Sequence, residues 1–128
     1  MNYFDDAEVV HRYTRKQAIE DGVLIDLTQW AMETGFTFPV ACTAAVWNEY
    51  ITPPPGTKEF GQSERGRAHD VLWMLFVAIR KGEDGNLVMY KVLFLNAQQK
   101  QMEVELKATC GPGDDGEPVI TIMLPHED

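Results

Sequence analysis

The chain has 128 residues, 45% of them hydrophobic, and its 11 basic and 20 acidic side chains give a formal net charge of −9. This length fits a single domain, 1–128, and the hydrophobic fraction is too high for a disordered protein. Because so acidic a surface repels polyanions, direct binding to nucleic acid or to an anionic membrane is disfavoured, and a basic protein surface is the favoured partner.

The N-terminal stretch, MNYFDDAEVV, has neither the basic start nor the apolar run of a signal peptide, so we expect a cytoplasmic protein. Residues 1–12 are predicted to form a flexible acidic arm. The apolar run at 71–79 is much shorter than the about 20 residues that a membrane-spanning helix needs. Cys42 and Cys110 follow no CxxC pattern and are predicted to be free thiols, Cys42 on a helix and Cys110 at a strand end.

The first helix is predicted over 15–21. Thr14 and Gln17 have the spacing of a capping box, in which each side chain bonds the other residue's backbone at the start of a helix. Gly22 is the residue type that ends a helix, because it adopts a positive φ without strain.

Residues 23–27 are apolar enough for a short strand or a buried extended link. Asp26 or Thr28 can cap a second short helix over 29–34, which Gly35 would end.

A third helix is predicted over 39–51. Pro39 suits a first helical turn. Four apolar residues recur at helical spacing, namely Val40, Ala44, Trp47 and Ile51. Residues 52–63 hold three consecutive prolines and are predicted to form a long irregular loop.

Ser63 is the predicted N-cap of the longest helix, over 64–81, which Gly82 would end. Its core stripe is predicted to consist of Ala68, Val71, Leu72, Leu75, Phe76 and Ile79. The stripe is widened almost all round by three more apolar residues, Trp73, Met74 and Val77. We therefore expect a central helix that is covered on more than one side.

The last third of the chain changes to strand periodicity. Residues 87–95 are apolar on both faces, 102–110 alternate between polar and apolar, and 119–124 form a last apolar strand. The alternation puts charges on one face of the middle strand, namely Glu103, Glu105 and Lys107. The predicted fold class is α+β, with three or four N-terminal helices packed on a C-terminal three-stranded antiparallel meander.

The glycine-rich stretch GPGDDG before the last strand is predicted to be a hairpin loop. Asp114, Asp115 and Glu117 would repel a phosphate, and their spacing is not that of an EF-hand calcium loop. The chain contains no P-loop, dinucleotide-binding, zinc-protease or serine-hydrolase motif. We therefore predict no catalytic residues, no metal and no cofactor.

One alternative is a small enzyme with an unfamiliar site centred on Arg67, His69 and Asp70 beside the proline-rich loop. His69 and Asp70 are neighbours in sequence, but successive helical residues point about 100° apart, which disfavours a base with its orienting acid. A surface or hydrogen-bonded role is the more common one for such a histidine.

Three stretches carry a resemblance, YTRKQAIEDGVLIDLT, METGFTFPVACTAAVW and GPGDDGEPVITIMLPHED. They resemble a family of small uncharacterised proteins carried on bacterial plasmids, phages and integrative elements, over Tyr13 to Asp128. The resemblance assigns no activity and no catalytic residue. It implies a mobile-element accessory protein, a setting in which small acidic proteins often resemble anti-CRISPR and anti-restriction inhibitors.

Charge and resemblance together predict an inhibitor that binds a basic nucleic-acid-binding effector of host defence, in part as a nucleic-acid mimic whose carboxylates replace phosphates. The predicted partner-binding residues are all acidic, namely Glu103, Glu105, Asp114, Asp115, Glu117, Glu127 and Asp128. We expect a monomer or homodimer. The alternatives are a non-inhibitory oligomeric accessory or regulatory protein of a mobile element and the small enzyme described above.

Overall fold

The computed structural model describes residues 13–56, 61–82 and 85–128. The helices are α1 (Arg15–Glu20), α2 (Thr28–Thr34), α3 (Ala44–Val46), which continues as a π-helix (Trp47–Ile51), and α4 (Glu64–Arg80). The strands are β1 (Leu24–Asp26), β2 (Val40–Thr43), β3 (Leu87–Leu95), β4 (Gln101–Pro112) and β5 (Pro118–Met123). The predicted acidic arm, 1–12, lies outside the described residues, as does 57–60 of the predicted loop.

All five strands form one sheet in the order β1-β2-β5-β4-β3. The β2–β5 pair is parallel and the other three pairs are antiparallel, so the sheet is mixed. The predicted fold class is therefore wrong: β3, β4 and β5 do run as a meander, but β1 and β2 extend it to five strands. Helix α1 precedes β1 and the other helices are inserted between strands, so the helices do not form a separate N-terminal layer.

The predicted helix over 39–51 is wrong in its first five residues and right in the rest, since Ala44–Val46 and Trp47–Ile51 are helical. Val40–Thr43 is strand β2, and its register places Val40 opposite Ile120 and Cys42 opposite Ile122. A strand that is buried on both faces is a continuous apolar run, and such a run cannot be distinguished from a buried helix by periodicity. Pairing with a strand about 80 residues later decided the outcome.

Local signals at the starts of α1 and α4 are confirmed. The predicted cap of α2 is not, because its N-cap is Leu27, which makes no side-chain cap bond, although Asp26 accepts the Thr28 N–H. The Thr14 hydroxyl accepts the Gln17 N–H, and the Gln17 side chain accepts the Thr14 N–H, which completes the capping box. The Ser63 hydroxyl accepts the Gly66 N–H at 3.0 Å at the start of α4. Gly22, with φ 77°, takes the left-handed conformation expected after a helix.

The hydrophobic core lies between α4 and one face of the sheet, which we call the inner face. It contains Val71, Leu72 and Leu75 of α4 with Val92 and Ile122 of the strands, all of them buried. Helix α4 packs on the sheet and also contacts α2 and the π-helix, as expected, but three residues predicted to lie in or beside its core stripe are exposed, namely Trp73 (46%), Met74 and Ile79. The polar residues of α4 and these apolar ones together form an outward side of the helix.

The opposite, outer face of the sheet is covered in part. Arg15 of α1 donates to the Thr121 hydroxyl at 2.7 Å, and the Lys107 ammonium group donates to the Glu127 carbonyl. Helix α1 and the C-terminal residues therefore lie on the outer face over β5 and its neighbours. Ala41 and Met123, whose side chains point to this face, are buried as a result.

Arg67 is a buried cation at the start of α4, only 2% exposed. Its Nε donates to the Tyr50 carbonyl at 2.6 Å, and its Nη1 donates to the Leu95 carbonyl at 3.0 Å and to Gln62 Oε1 at 3.1 Å. The guanidinium also lies 4.6 Å from the centre of the Phe94 ring. Burial lowers the pKa of Arg67, which Asp70 partly offsets, and the carbonyls and the ring replace the lost hydration.

Two core groups are held in their neutral forms by burial. The Tyr90 hydroxyl is the buried side-chain atom among the described residues that has no hydrogen-bond partner, and burial raises the Tyr90 pKa well above its usual value. Burial also raises the pKa of the Cys42 thiol to about 12. Cys42 and Cys110 are both free thiols, with Cys42 on a strand and not on the predicted helix.

Replacement of Arg67 by lysine should lower the free energy of unfolding by about 3 kcal/mol, because an ammonium group cannot reach three separated acceptors and stack on Phe94. Denaturant unfolding followed by circular dichroism measures this. The matched control is Arg65→Lys, which alters the exposed ion pair with Glu33 and should change stability by less than about 0.5 kcal/mol. Equal effects of the two substitutions would contradict the structural role of Arg67.

Replacement of Tyr90 by phenylalanine should leave the stability at pH 7 unchanged or raise it by about 1 kcal/mol, because it removes a buried hydroxyl without a partner. The raised pKa adds a pH effect: the unfolded chain releases the tyrosine proton above about pH 10 while the native chain keeps it, so stability falls as pH rises past 10. The variant should lose less stability there. Unfolding curves between pH 7 and pH 11 test both points, and a variant clearly less stable at pH 7 would contradict them.

Candidate partner-binding surface

Asp114 of the β4–β5 loop is part of the chain's own framework. Its two carboxylate oxygens accept the backbone N–H groups of Arg15, at 2.8 Å, and of Lys16, at 3.0 Å. These are the first two N–H groups of α1, and Thr14 accepts the third, so the loop supplies a cap to a distant helix. Asp114 therefore holds α1 against the sheet.

The Arg15 side chain strengthens the same junction. Its Nη1 donates to the Thr121 hydroxyl at 2.7 Å and its Nη2 to the Ile120 carbonyl at 2.8 Å. Half-burial lowers the Arg15 pKa, while the negative charges of Asp26, Asp114 and Glu117 raise it. A cation in the first turn of a helix is unfavourable by itself, and these contacts explain why one is present.

Two further predicted partner-binding acids also make bonds within the chain. Glu117 Oε2 accepts the Asp115 N–H at 3.0 Å across the loop. Glu127 Oε1 accepts the Thr43 hydroxyl and the Leu124 N–H, both at 2.8 Å. The C-terminal segment is thus folded onto β2 and β5.

The other four predicted acids are exposed, namely Glu103, Glu105, Asp115 and Asp128. The structure does not bring them into one cluster. Glu103 and Glu105 lie near the start of β4 and Asp115 lies beyond its end, and β4 from Glu103 to Pro112 spans about 30 Å. The C-terminal residues lie near Lys107 and so nearer to Glu105.

The part of the outer face that α1 and the C-terminal residues leave open is formed by β3 and the first half of β4. It combines apolar side chains, Leu87 (50% exposed), Met89 (40%) and Leu93 (53%), with the charges of the opposite strand. Lys91 lies 3.3 Å from Glu103, and Glu105 pairs with Lys91 in the strand register. We call this the β3–β4 surface, and it consists of Leu87, Met89, Lys91, Leu93, Glu103 and Glu105.

The apolar half of the β3–β4 surface did not figure among the predicted partner-binding residues. The sequence does contain its signal: 87–95 is apolar at both alternating sets of positions, which is expected for a strand covered on both faces. In the structure, residues 88, 90, 92 and 94 point into the core, and the alternate set is left in solvent. The exposed apolar side chains make the β3–β4 surface a candidate interaction site, because contiguous apolar patches on a soluble domain often mark one.

A groove of about 410 Å³ lies beside this surface, between α4 and β3. It is lined by Asp70, Trp73, Met74, Lys91, Val92, Leu93 and Glu103. Burial raises the pKa of Asp70, which the neighbouring His69 and Arg67 partly offset. The groove joins the exposed side of α4 to the β3–β4 surface.

The three residues of the enzyme alternative do not converge. Arg67 points into the core, whereas His69 lines a different groove with Trp30 and Arg65, and Asp70 lines the groove beside β3. Within the described ranges, no group of three histidine, cysteine or acidic side chains could hold a metal ion. No helix in those ranges is long and apolar enough to cross a membrane.

A family model described as a family of unknown function, DUF6573, matches residues 1–128 of the chain. The chain therefore belongs to that family, which confirms the prediction of an uncharacterised family and assigns no activity. No curated protein and no solved structure matches the chain.

Replacement of Asp114 by alanine should lower the free energy of unfolding by about 1–2 kcal/mol, because two N–H groups of α1 lose their acceptor. The matched control is Asp115→Ala, one residue along the same loop but exposed, which should change stability by less than about 0.5 kcal/mol. Thermal unfolding followed by circular dichroism measures both. Equal stability of the two variants would contradict the capping role of Asp114.

Proposed function

We propose that this member of the DUF6573 family binds a basic protein through its β3–β4 surface. The observation that supports this most directly is the row formed by Leu87, Met89 and Leu93 beside Glu103 and Glu105, with no described segment of the chain over it. Apolar contact supplies affinity at such a surface, and the acidic neighbours select a partner of opposite charge.

The charge distribution favours a basic partner. The net charge is −9, and two ion pairs connect described residues with each other, Arg65–Glu33 and Lys91–Glu103. Glu105, Asp115 and Asp128 are exposed. A strongly negative surface accelerates encounter with a positive one and repels nucleic acid, which is the competitor at a nucleic-acid-binding groove.

We propose further that the partner is a nucleic-acid-binding effector of host defence and that binding inhibits it. The support is the acidic charge and the resemblance to proteins carried on plasmids, phages and integrative elements. An inhibitor of the anti-CRISPR or anti-restriction type would occupy the groove that normally holds DNA or RNA. The exposed carboxylates would then take the place of phosphates.

A second candidate is an oligomeric accessory or regulatory protein without an inhibitory role. The exposed row of Leu87, Met89 and Leu93 favours it as well, because the same apolar side chains would be covered in a homodimer. The two candidates differ in what sedimentation or light scattering would measure. Self-association predicts a mass that rises with chain concentration, whereas the first candidate predicts a monomer until the partner is added.

Binding to the basic partner should depend on salt and on the acids of the β3–β4 surface. The chain should capture a protein from a host that carries defence systems. We expect the amount of that protein retained to fall at least tenfold as salt rises from about 50 mM to about 300 mM. The double variant Glu103→Gln and Glu105→Gln should weaken capture to a similar degree. The charge-matched control is Glu20→Gln with Glu49→Gln, two exposed acids on other elements, which should bind nearly as the parent does.

Phage plaque counts on the same host decide the inhibitory form of the proposal. The parent chain and the control variant should restore plaques that the defence system suppresses, and the Glu103→Gln, Glu105→Gln variant should not. Equal activity of the two double variants would remove the β3–β4 surface from the function. Asp114 is not a suitable site for this test. Its replacement would remove the cap of α1 and lower stability, so a loss of binding could not be attributed to the surface.

A further inference from the structure

We propose that the edge of β3 that faces away from β4, with which no described strand pairs and which we call the open edge, accepts an extended, basic segment of the partner as a sixth strand of the sheet. This rests on the proposed function and specifies how the partner is bound. The main chain of β3 would supply hydrogen bonds, and the adjoining groove would hold alternate side chains of the added strand.

The edge formed by β3 has few of the features that usually prevent strand addition. It is nine residues long, its register with β4 runs without interruption from Leu87–Thr109 to Leu95–Gln101, and it contains one charged residue, Lys91, and no proline. Proteins commonly protect an edge by keeping it short or by placing charges, prolines or bulges in it. The opposite edge of this sheet, β1, is three residues long.

The hydrogen-bonding groups on the open edge can be assigned. In an antiparallel pair, alternate residues direct both their N–H and C=O to the same neighbour. The Asn86 carbonyl accepts the Cys110 N–H at 2.8 Å, so the even-numbered residues of β3 direct their main-chain N–H and C=O groups to β4. The odd-numbered set, Leu87, Met89, Lys91 and Leu93, therefore directs its main-chain groups to the open edge.

One contact supports this assignment independently. The carbonyl of Leu95, the next odd-numbered residue, accepts Arg67 Nη1 at 3.0 Å, so it points away from β4. The same contact occupies the open edge at its C-terminal end. An added strand would pair with the four odd-numbered residues before Leu95.

The surroundings provide contacts for both sets of side chains on such a strand. On the inner side lie Trp73 and Met74, which are exposed side chains of α4 and line the groove of about 410 Å³. On the outer side lie the exposed Met89 and Leu93. Apolar residues at alternate positions of the added strand would cover Trp73 and Met74.

Charge complementarity favours a basic segment of the partner over a second copy of the chain at this edge. Among the residues that line the groove, Lys91 and Glu103 form an ion pair, so the Asp70 carboxylate gives the groove its net negative charge. The exposed Glu105, opposite Lys91 in the strand register, adds a second negative charge nearby. A second copy of the chain would bring another net charge of −9 to this edge. Lysine or arginine residues on the incoming segment would instead be attracted, so the occupant is an extended segment of alternating apolar and basic residues.

The test uses the full chain and an end-blocked ten-residue peptide of alternating valine and lysine. Residue-resolved amide exchange by NMR is measured at low salt with and without the peptide. Protection of the Leu87, Met89, Lys91 and Leu93 amides should rise at least about tenfold, while the even-numbered amides, already bonded to β4, should change little. Unchanged protection of the odd-numbered set would overturn the proposal.

Three control peptides examine the parts of the proposal separately. A valine–glutamate peptide should bind at least about tenfold more weakly. The other two peptides are N-methylated, one at all valines and one at all lysines, which removes the N–H groups of alternate residues. An added strand bonds β3 through one of its edges alone, so one of these peptides should bind at least about tenfold more weakly and the other should bind as before. Equal binding of the two N-methylated peptides would exclude main-chain pairing, and equal binding of the valine–lysine and valine–glutamate peptides would exclude selection by charge.

Two substitutions test the groove. Trp73→Ser should weaken binding of the valine–lysine peptide at least about fivefold, and the matched control Phe38→Ser, an exposed aromatic on another part of the surface, should not. Thermal unfolding verifies that both variants fold. Without peptide, the exchange protection of the odd-numbered amides should not depend on chain concentration. If it rises with concentration, a second copy of the chain binds this edge and the proposal is overturned. If the peptide does not bind but Glu103→Gln and Glu105→Gln still weaken capture of the partner, strand addition is contradicted while the proposed function is supported.

Discussion

The buried guanidinium of Arg67 is the interaction on which much of this structure depends. It joins the end of the π-helix through Tyr50, the segment just before α4 through Gln62 and the end of β3 through Leu95. A buried cation is costly unless acceptors surround it, so these three segments must all be in place together. The position of α4 against β3, and with it the groove beside the open edge, depends on this constraint together with the apolar packing of Val71, Leu72 and Leu75.

A second junction decides which part of the outer face is available. Asp114 and Arg15 fasten α1 to β5, and Glu127 fastens the C-terminal segment to β2. Both junctions lie toward the β1–β2–β5 side of the sheet. The exposed apolar row on β3 is thus the part of the outer face that these segments leave open.

The acidic side chains therefore perform two different tasks. Asp114, Glu117 and Glu127 bond N–H or hydroxyl groups of the chain itself, whereas Glu105 and Asp115 are exposed. In sequence, Asp114 and Asp115 are neighbours of one type. Their roles differ because one points at the start of α1, almost 100 residues away along the chain, and the other points at solvent.

Local chemistry in the sequence determined where α1 and α4 begin, since a capping box at Thr14 and a serine cap at Ser63 need only near neighbours, and it determined the alternating pattern of β4. It did not determine the state of 40–43, because a short buried apolar run is compatible with helix or strand until a partner strand is present. The tertiary structure alone decided that β2 pairs with β5, that Arg67 is interior and that one face of β3 is open. Each of these depends on contacts between residues distant in sequence, which no local pattern encodes.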